Sequence, residues 1–198
     1  MAEQKRGTGD GELPDEGAMA ERIRDYRLDR FGTTLREFPE TKADVHFDPD
    51  NADVREFYLR ARVDSLDDLK LWTGVPNDRL EPAWTDHLKC VSVPPPQTIK
   101  DTPLDPQLVK DAEHNILFGY VDDKLLSNGF WRLIADGLLE RWRMVNILLL
   151  QDLVVNDGQT VTFSNTQTAF FRKVTVYPTG VIRLGSDCKI IADTIEHI

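Results

Sequence analysis

The chain has 198 residues, of which 40% are apolar and 29% charged, and a formal net charge of −10. That length allows one domain with a proper core, with or without an appendage, and the composition is ordinary for a soluble protein. The acidity excludes nucleic-acid or anionic-membrane binding as the main activity, because both rest on a positive face.

The charge is unevenly spread. Residues 151–198 hold five acids and four bases, residues 1–20 five acids and two bases, and the remaining −6 lies between. A near-neutral last quarter beside an acidic middle suits a β region that packs or stacks while the rest keeps the chain soluble. Met1 to Gly7 is polar with no apolar core, so no signal peptide is expected. Val145 to Val155, the most apolar run, is broken by Asn146, Gln151 and Asp152, too short and too polar for a membrane span. Together these give a cytoplasmic expectation.

Residues 1–19, rich in Gly, Asp, Glu and Lys, read as a disordered acidic tail. Ala20 to Phe38 carries Ile23, Tyr26, Leu28, Phe31 and Leu35 in a loosely amphipathic helix interrupted at Gly32, with Arg22, Arg24 and Arg27 on a solvated face. Asp44, Asp48, Asp50 and Asp53 form the densest acidic run. A calcium loop starting at Asp48 would need an oxygen ligand where Ala52 stands and glycine where Asp53 stands, so the acids read instead as helix caps. Asp50 or Asn51 would open a helix with Val54, Phe57, Tyr58 and Ala61 on its apolar face.

Ser65-Leu66-Asp67-Asp68 has the shape of a capping box and predicts a short helix bearing Leu66, Leu69 and Trp72, closed by Gly74 and Pro76. Leu80, Trp84, Leu88 and Val91 form an apolar stripe between Arg79 and Val93, and Pro94-Pro95-Pro96 is a stiff extended segment spanning one face. Asp105 to Glu113 reads as a short helix and Asn115 to Val121 as a buried strand. Ser127 or Asn128 caps a longer helix to about Val145, with Phe130, Leu133, Ile134 and Leu138 on one side, Trp131, Ala135 and Trp142 widening the arc, and Gly137 allowing a close neighbour. Basic Arg141 and Arg143 flank Trp142 in its last turn, where cations complement the helix dipole.

From Gln151 to Ile198 a pattern repeats every 21 residues. Leu153 falls over Val174 and Ile195, Val155 over Val176, Val161 over Ile182, Phe163 over Leu184 and Phe170 over Ile191. Turn residues recur at one offset, Asn156-Asp157-Gly158 and then Tyr177-Pro178-Thr179-Gly180. Such a period predicts β-solenoid coils, two and the start of a third, whose inward side chains stack on like positions. A β-meander uses the same alternation and is the second reading, though it has no reason to keep one offset. The fold-class expectation is therefore α+β: a mainly helical region at 20–150 packed, as one folded unit, on a short β-solenoid-like or meander region at 151–198.

Chemistry is sparse. His87 and Cys90 could give two metal ligands, but a structural zinc site needs four, and His46, His114 and His197 are scattered. Cys90 and Cys188 form no disulfide framework. Nucleophile-elbow, Walker, dinucleotide and zinc-hydrolase patterns are absent. No catalytic, metal-binding or cofactor-binding residue is assigned, and no cofactor is expected.

A short β stack cannot bury both of its ends. The helix at 128–145 would cover the first coil, leaving the last open to a second subunit or protein partner, with Ile191, Ile195, Ile198, Tyr177 and Arg183 as candidate interaction residues. The expected function is non-enzymatic: self-association or partner docking through the β end. Two alternatives stand beside it. One is carbohydrate binding or processing on a β side face, where Tyr177 would be the one aromatic platform among Thr160, Thr162, Thr175 and Arg183. The other is a small-molecule enzyme with its site between the helical and β parts, using His87, Cys90 or His114.

Overall fold

The computed structural model describes residues 21, 23–32, 34–75, 91–94, 103–118, 121, 123–185 and 188–198. The expected acidic tail, most of the Arg79 to Val93 stripe, Pro95, Pro96 and the His87/Cys90 pair, and with it any pairing of Cys90 with Cys188, lie outside the described residues. Two compact units divide the chain, Met1–Thr33 and Thr34–Ile198.

In the first unit the helix expected from Ala20 to Phe38 is not continuous. Arg27 takes a positive φ of 55°, and a 3-10 turn at Asp29–Phe31 is closed by left-handed Gly32, whose N–H donates to the Asp29 carbonyl at 2.9 Å. Gly32 supplies a conformation that other residues adopt at a cost.

Among the described residues of the second unit, four helices follow the first strands: α1 (Leu66–Thr73), α2 (Pro106–Phe118), α3 (Asp123–Leu126) and α4 (Gly129–Arg141). Ser65 caps α1 by accepting from the Asp68 N–H at 3.1 Å, and Asn128 caps α4 by accepting from the Phe130 N–H at 2.9 Å. Each cap satisfies a donor that the first helical turn cannot pair.

Three local expectations fail. Asn115 to Phe118 is the last turn of α2 rather than a strand, because the apolar run continues the helical face of Ala112 and Ile116, both fully buried. The helix expected after Asn51 is a 3-10 turn at Arg55–Phe57 followed by strand β2 (Tyr58–Arg62), since pairing with a distant strand outweighs local preference. Asp48 and Asn51 instead close turns, accepting from Asp50 and Asp53 N–H groups at 2.9 and 3.1 Å. Gly137 has open space where a Cβ would stand, so no neighbour needs its small size.

The chain is α+β, but its β structure corrects the expected architecture. Besides β1 (Val45–Phe47) and β2, the chain forms β3 (Met144–Val155), β4 (Thr160–Phe163), β5 (Thr168–Val176), β6 (Val181–Leu184) and β7 (Lys189–His197). They build two open sheets, β1-β4-β6 and β2-β3-β5-β7. No closed solenoid forms. A meander is ruled out as well, because β3, β5 and β7 pair in parallel, as do β1, β4 and β6, while β2 alone joins antiparallel. The mainly helical first two thirds also supply β1, β2 and the start of β3 to the sheets. The first edges are covered by β1, β2 and a bridge from Arg36 to Leu150, not by the helix after Asn128.

The 21-residue offset is the register of these ladders, with Leu153 beside Val174 and Val174 beside Ile195, Val161 beside Ile182 and Phe163 beside Leu184. The corners keep it too. The N–H groups of Tyr177, Val181, Gly185 and Lys189 donate to the carbonyls of Val155, Gln159, Phe163 and Gln167, each at 2.9 Å. Backbone approaches so closely at the β5–β6 corner that a Cβ on Gly180 would lie 2.8 Å from the Val155 carbonyl oxygen.

Between the sheets lies a core of Phe47, Leu148, Leu150, Leu153, Val155, Val161, Phe163, Ala169, Phe171 and Val174. Phe47 and Phe163 stack with centroids 5.2 Å apart, and Phe171 meets Phe163 edge-on. The spacing of inward residues changes from two to three between Leu150 and Leu153, and again between Phe171 and Val174, where Gln151, Arg172 and Asp193 drop out of the paired register. The opposite face meets α1: Thr168 donates to the Trp72 carbonyl, and the Lys189 ammonium donates to the Leu71 and Gly74 carbonyls at 2.8 Å.

Candidate functional site

The last layer of the β structure consists of β6 and β7, each the outer strand of its sheet. Both strands hold the same kinds of residue as the layers beneath, yet their burial differs. Along one inward column, Leu153 and Val174 are 2% and 1% exposed while Ile195 is 66% exposed. Along another, Phe163 is fully buried and Leu184 is 50% exposed. No described residue from Val181 to Ile198 is fully buried. Two apolar columns therefore run out into solvent, at Ile195 and at Leu184, while Ile182, Ile190 and Ala192 stay half-buried against the core.

The five residues expected at this end are not one cluster. Ile195 continues the core face above Val174. Ile191 pairs with the fully buried Phe170 on the sheet face opposite the inter-sheet core and is half-buried there. Ile198 lies just past β7, its N–H donating to the Val176 carbonyl at 3.1 Å, and is largely exposed. Tyr177 sits one layer lower as a turn residue, taking the Val155 carbonyl with its N–H and accepting from the Gly180 N–H at 2.9 Å. Arg183 is exposed on β6, beside Thr162. The exposed apolar residues here are Ile195 on β7 and Leu184 on β6 in the inward columns, with Ile198 past the end of β7 and Val181 beside Thr160 on the outward face; periodicity marked Leu184 as a repeat position but not as surface.

Ion pairs hold the outward side chains nearby. Arg172 donates through Nε to Asp152 at 3.0 Å and a second nitrogen completes a two-point pair, while Lys173 lies 2.8 Å from Glu196. Burial pushes the Cys188 thiol up to about 12, which leaves it protonated and unreactive at neutral pH.

Other polar groups have structural work. Arg141 grips Glu113 with two nitrogens at 3.1 and 2.6 Å, tying α4 to α2. His114 rests against the Phe118 ring within α2, and His197 ends β7. His46 lies 2.7 Å from the Ser164 hydroxyl, a pair no spacing could suggest because 118 positions separate them. The corner after it is locked by Asn165 at φ 49°, which donates to Asp48, and by Thr166 bonded to Tyr58. Among the described residues no carboxylate hydrogen-bonds the His46 ring.

An open groove of about 670 Å³ lies along Arg62, Val63, Asp136, Leu139 and Met144. Its charges are mixed, with Arg62 beside Asp64 and Arg143 beside Glu140. Among the described residues no group of three acidic, histidine or cysteine side chains could hold a metal ion, and no helix is long and apolar enough to cross a membrane. No protein family, curated protein or solved structure matches the chain.

Proposed function

We propose that this chain is a non-enzymatic interaction protein, and that the open β6/β7 end is its docking surface for another copy of itself. The observation that carries the reading is the burial gradient: in the column Leu153, Val174, Ile195, equivalent apolar positions go from buried to two-thirds exposed over three neighbouring strands. An outer strand with exposed apolar side chains offers surface that gains from leaving water. β7 has nine residues and spans roughly 30 Å. Charge also favours this end, because residues 151–198 carry five acids and four bases in a chain of net −10.

Solution mass, measured by size exclusion with light scattering over a concentration series, tests the proposal. A defined oligomer is expected, and Ile195→Asp should turn it into a folded monomer, since a charge at a 66% exposed position costs little until a second surface covers it. A strict monomer at every concentration would sink the reading.

A further inference from the structure

We infer that Asn128-Gly129, at the start of α4, is a site of spontaneous covalent modification. The Asn128 amide is converted to an acid by the chain's own backbone, at a rate set by opening of the first turn of α4.

The chemistry needs a side-chain amide, a backbone N–H on the next residue that reaches it, and no bond that holds either in place. The described asparagines differ on these points. Asn51, Asn146, Asn156 and Asn165 each donate through Nδ2 to an oxygen elsewhere in the fold, at 2.9 to 3.1 Å. Each is followed by a residue that carries a side chain. Asn115 is buried and precedes Ile116. Asn128 is exposed, and its side chain is engaged through oxygen alone, which accepts from the Phe130 N–H at 2.9 Å. Its Nδ2 has no hydrogen-bond partner among the described residues. Gly129 is exposed too, and nothing lies within 4 Å of where a Cβ would stand. As the first helical residue, it has no carbonyl one turn back for its N–H to bond.

In the reaction the Gly129 nitrogen attacks Asn128 Cγ. The new N–Cγ bond closes a five-membered ring, the Cγ–Nδ2 bond breaks, and Nδ2 leaves as ammonia with the proton that Gly129 gives up. Water then opens the cyclic imide. Attack on Cγ yields aspartate; attack on the backbone carbonyl carbon yields isoaspartate, whose main chain runs through the former side chain. Either way one water enters and one ammonia leaves. Glycine favours the closure because no side chain crowds its nitrogen and its backbone turns freely.

The fold sets the rate. Ring closure needs the Gly129 nitrogen to swing round the Cα–C bond of Asn128 onto the side chain. In the capped turn Asn128 has ψ 130°, which holds that nitrogen away from Cγ, and its carbonyl accepts from the Arg132 N–H at 3.0 Å. Those bonds open before the ring forms, and helix ends are where opening costs least. The products then differ. Aspartate caps as well as asparagine and adds a negative charge where the helix dipole favours it. Isoaspartate lengthens the backbone by one carbon at the cap and moves the acceptor away from the Phe130 N–H.

Peptide mapping by mass spectrometry, on the full chain kept warm in mildly alkaline buffer, tests the site. Acid should accumulate at Asn128 ahead of every other described asparagine, as aspartate and isoaspartate together. Unfolding in urea should speed the conversion by roughly two- to thirtyfold, the range that matches the worth of one helix cap. Gly129→Ala, whose methyl enters open space and suits a helix, should fold and slow the conversion by about tenfold or more. Conversion spread evenly over the asparagines, or equally fast in Gly129→Ala, overturns the site. A rate no higher in urea overturns its control by the α4 cap.

Discussion

Cys188, just ahead of β7, illustrates how single residues tune stability. Burial raises its thiol from the ordinary 9.0 to about 12, so the folded chain keeps a proton that the unfolded chain loses above pH 9. Its stabilising contribution is complete below 9.0 and is lost as the pH climbs towards 12. Burial also raises Tyr58, outweighing its bond to Thr166, and acts in the same direction above its ordinary 10.0. Lys70 opposes both: burial lowers it, so folding releases protons and this group adds stability as the pH approaches 10.5. The urea midpoint should therefore fall between pH 9 and 11, and fall less steeply in Cys188→Ala; an unchanged slope in that variant would remove the thiol from the account. Gly137 offers a simpler case. It is exposed within α4, with no atom within 4 Å of a Cβ built on it. Gly137→Ala should stabilise the chain by about 1 kcal/mol in chemical denaturation through helix propensity alone, whereas destabilisation would reveal an unseen neighbour.

At the scale of strands, equal residues in equal registers should have unequal worth. Leu153→Ala empties a position that is 2% exposed and should cost about 2–5 kcal/mol. Ile195→Ala, two strands away in the same column, should cost about 0.5 kcal/mol or less when dilute protein is unfolded in urea. At concentrations where copies associate, the cost of Ile195→Ala should grow while that of Leu153→Ala stays put; equal costs at all concentrations would place Ile195 in an ordinary core. The same column shows what periodicity can report. In-register parallel strands repeat one offset, so the alignment of Leu153, Val174 and Ile195 was legible from residues alone. What completes each sheet was not. β2 is too short and too charged to show strand alternation, and it forms because Tyr58 to Arg62 pair with Leu148 to Met144, some 80 to 90 positions away. Asn115 to Phe118 misled for the opposite reason: a run of three apolar residues, Ile116, Leu117 and Phe118, fits a buried strand or a buried helical turn equally. The proposed surface was placed at the last β layer from sequence, but the division into a core-facing Ile195 and an opposite-facing Ile191 depends on the break at Asp193, which no composition signals.

For the whole molecule, association must overcome the mutual repulsion of two chains that each carry −10. The proposed contact places the last layer of each copy together, and within residues 177–198 two bases, Arg183 and Lys189, face three acids, Asp187, Asp193 and Glu196. That region supplies little attraction by charge and little repulsion. Most of the acidity lies earlier in the chain, so its repulsion acts over longer distances and is screened first, the screening length being about 10 Å at 0.1 M salt and about 3 Å at 1 M. Apolar burial is not weakened by the same change, and strongly hydrated salts strengthen it. Raising sodium chloride from 50 to 500 mM should therefore tighten the dimer, visible in light scattering as a shift of the monomer–dimer midpoint to lower protein concentration. A dimer held by ion pairs would respond in the opposite sense, dissociating as salt rises. That result would move the contact away from β7 and towards the charged edge of β2, where Arg60 and Arg62 already have acidic neighbours.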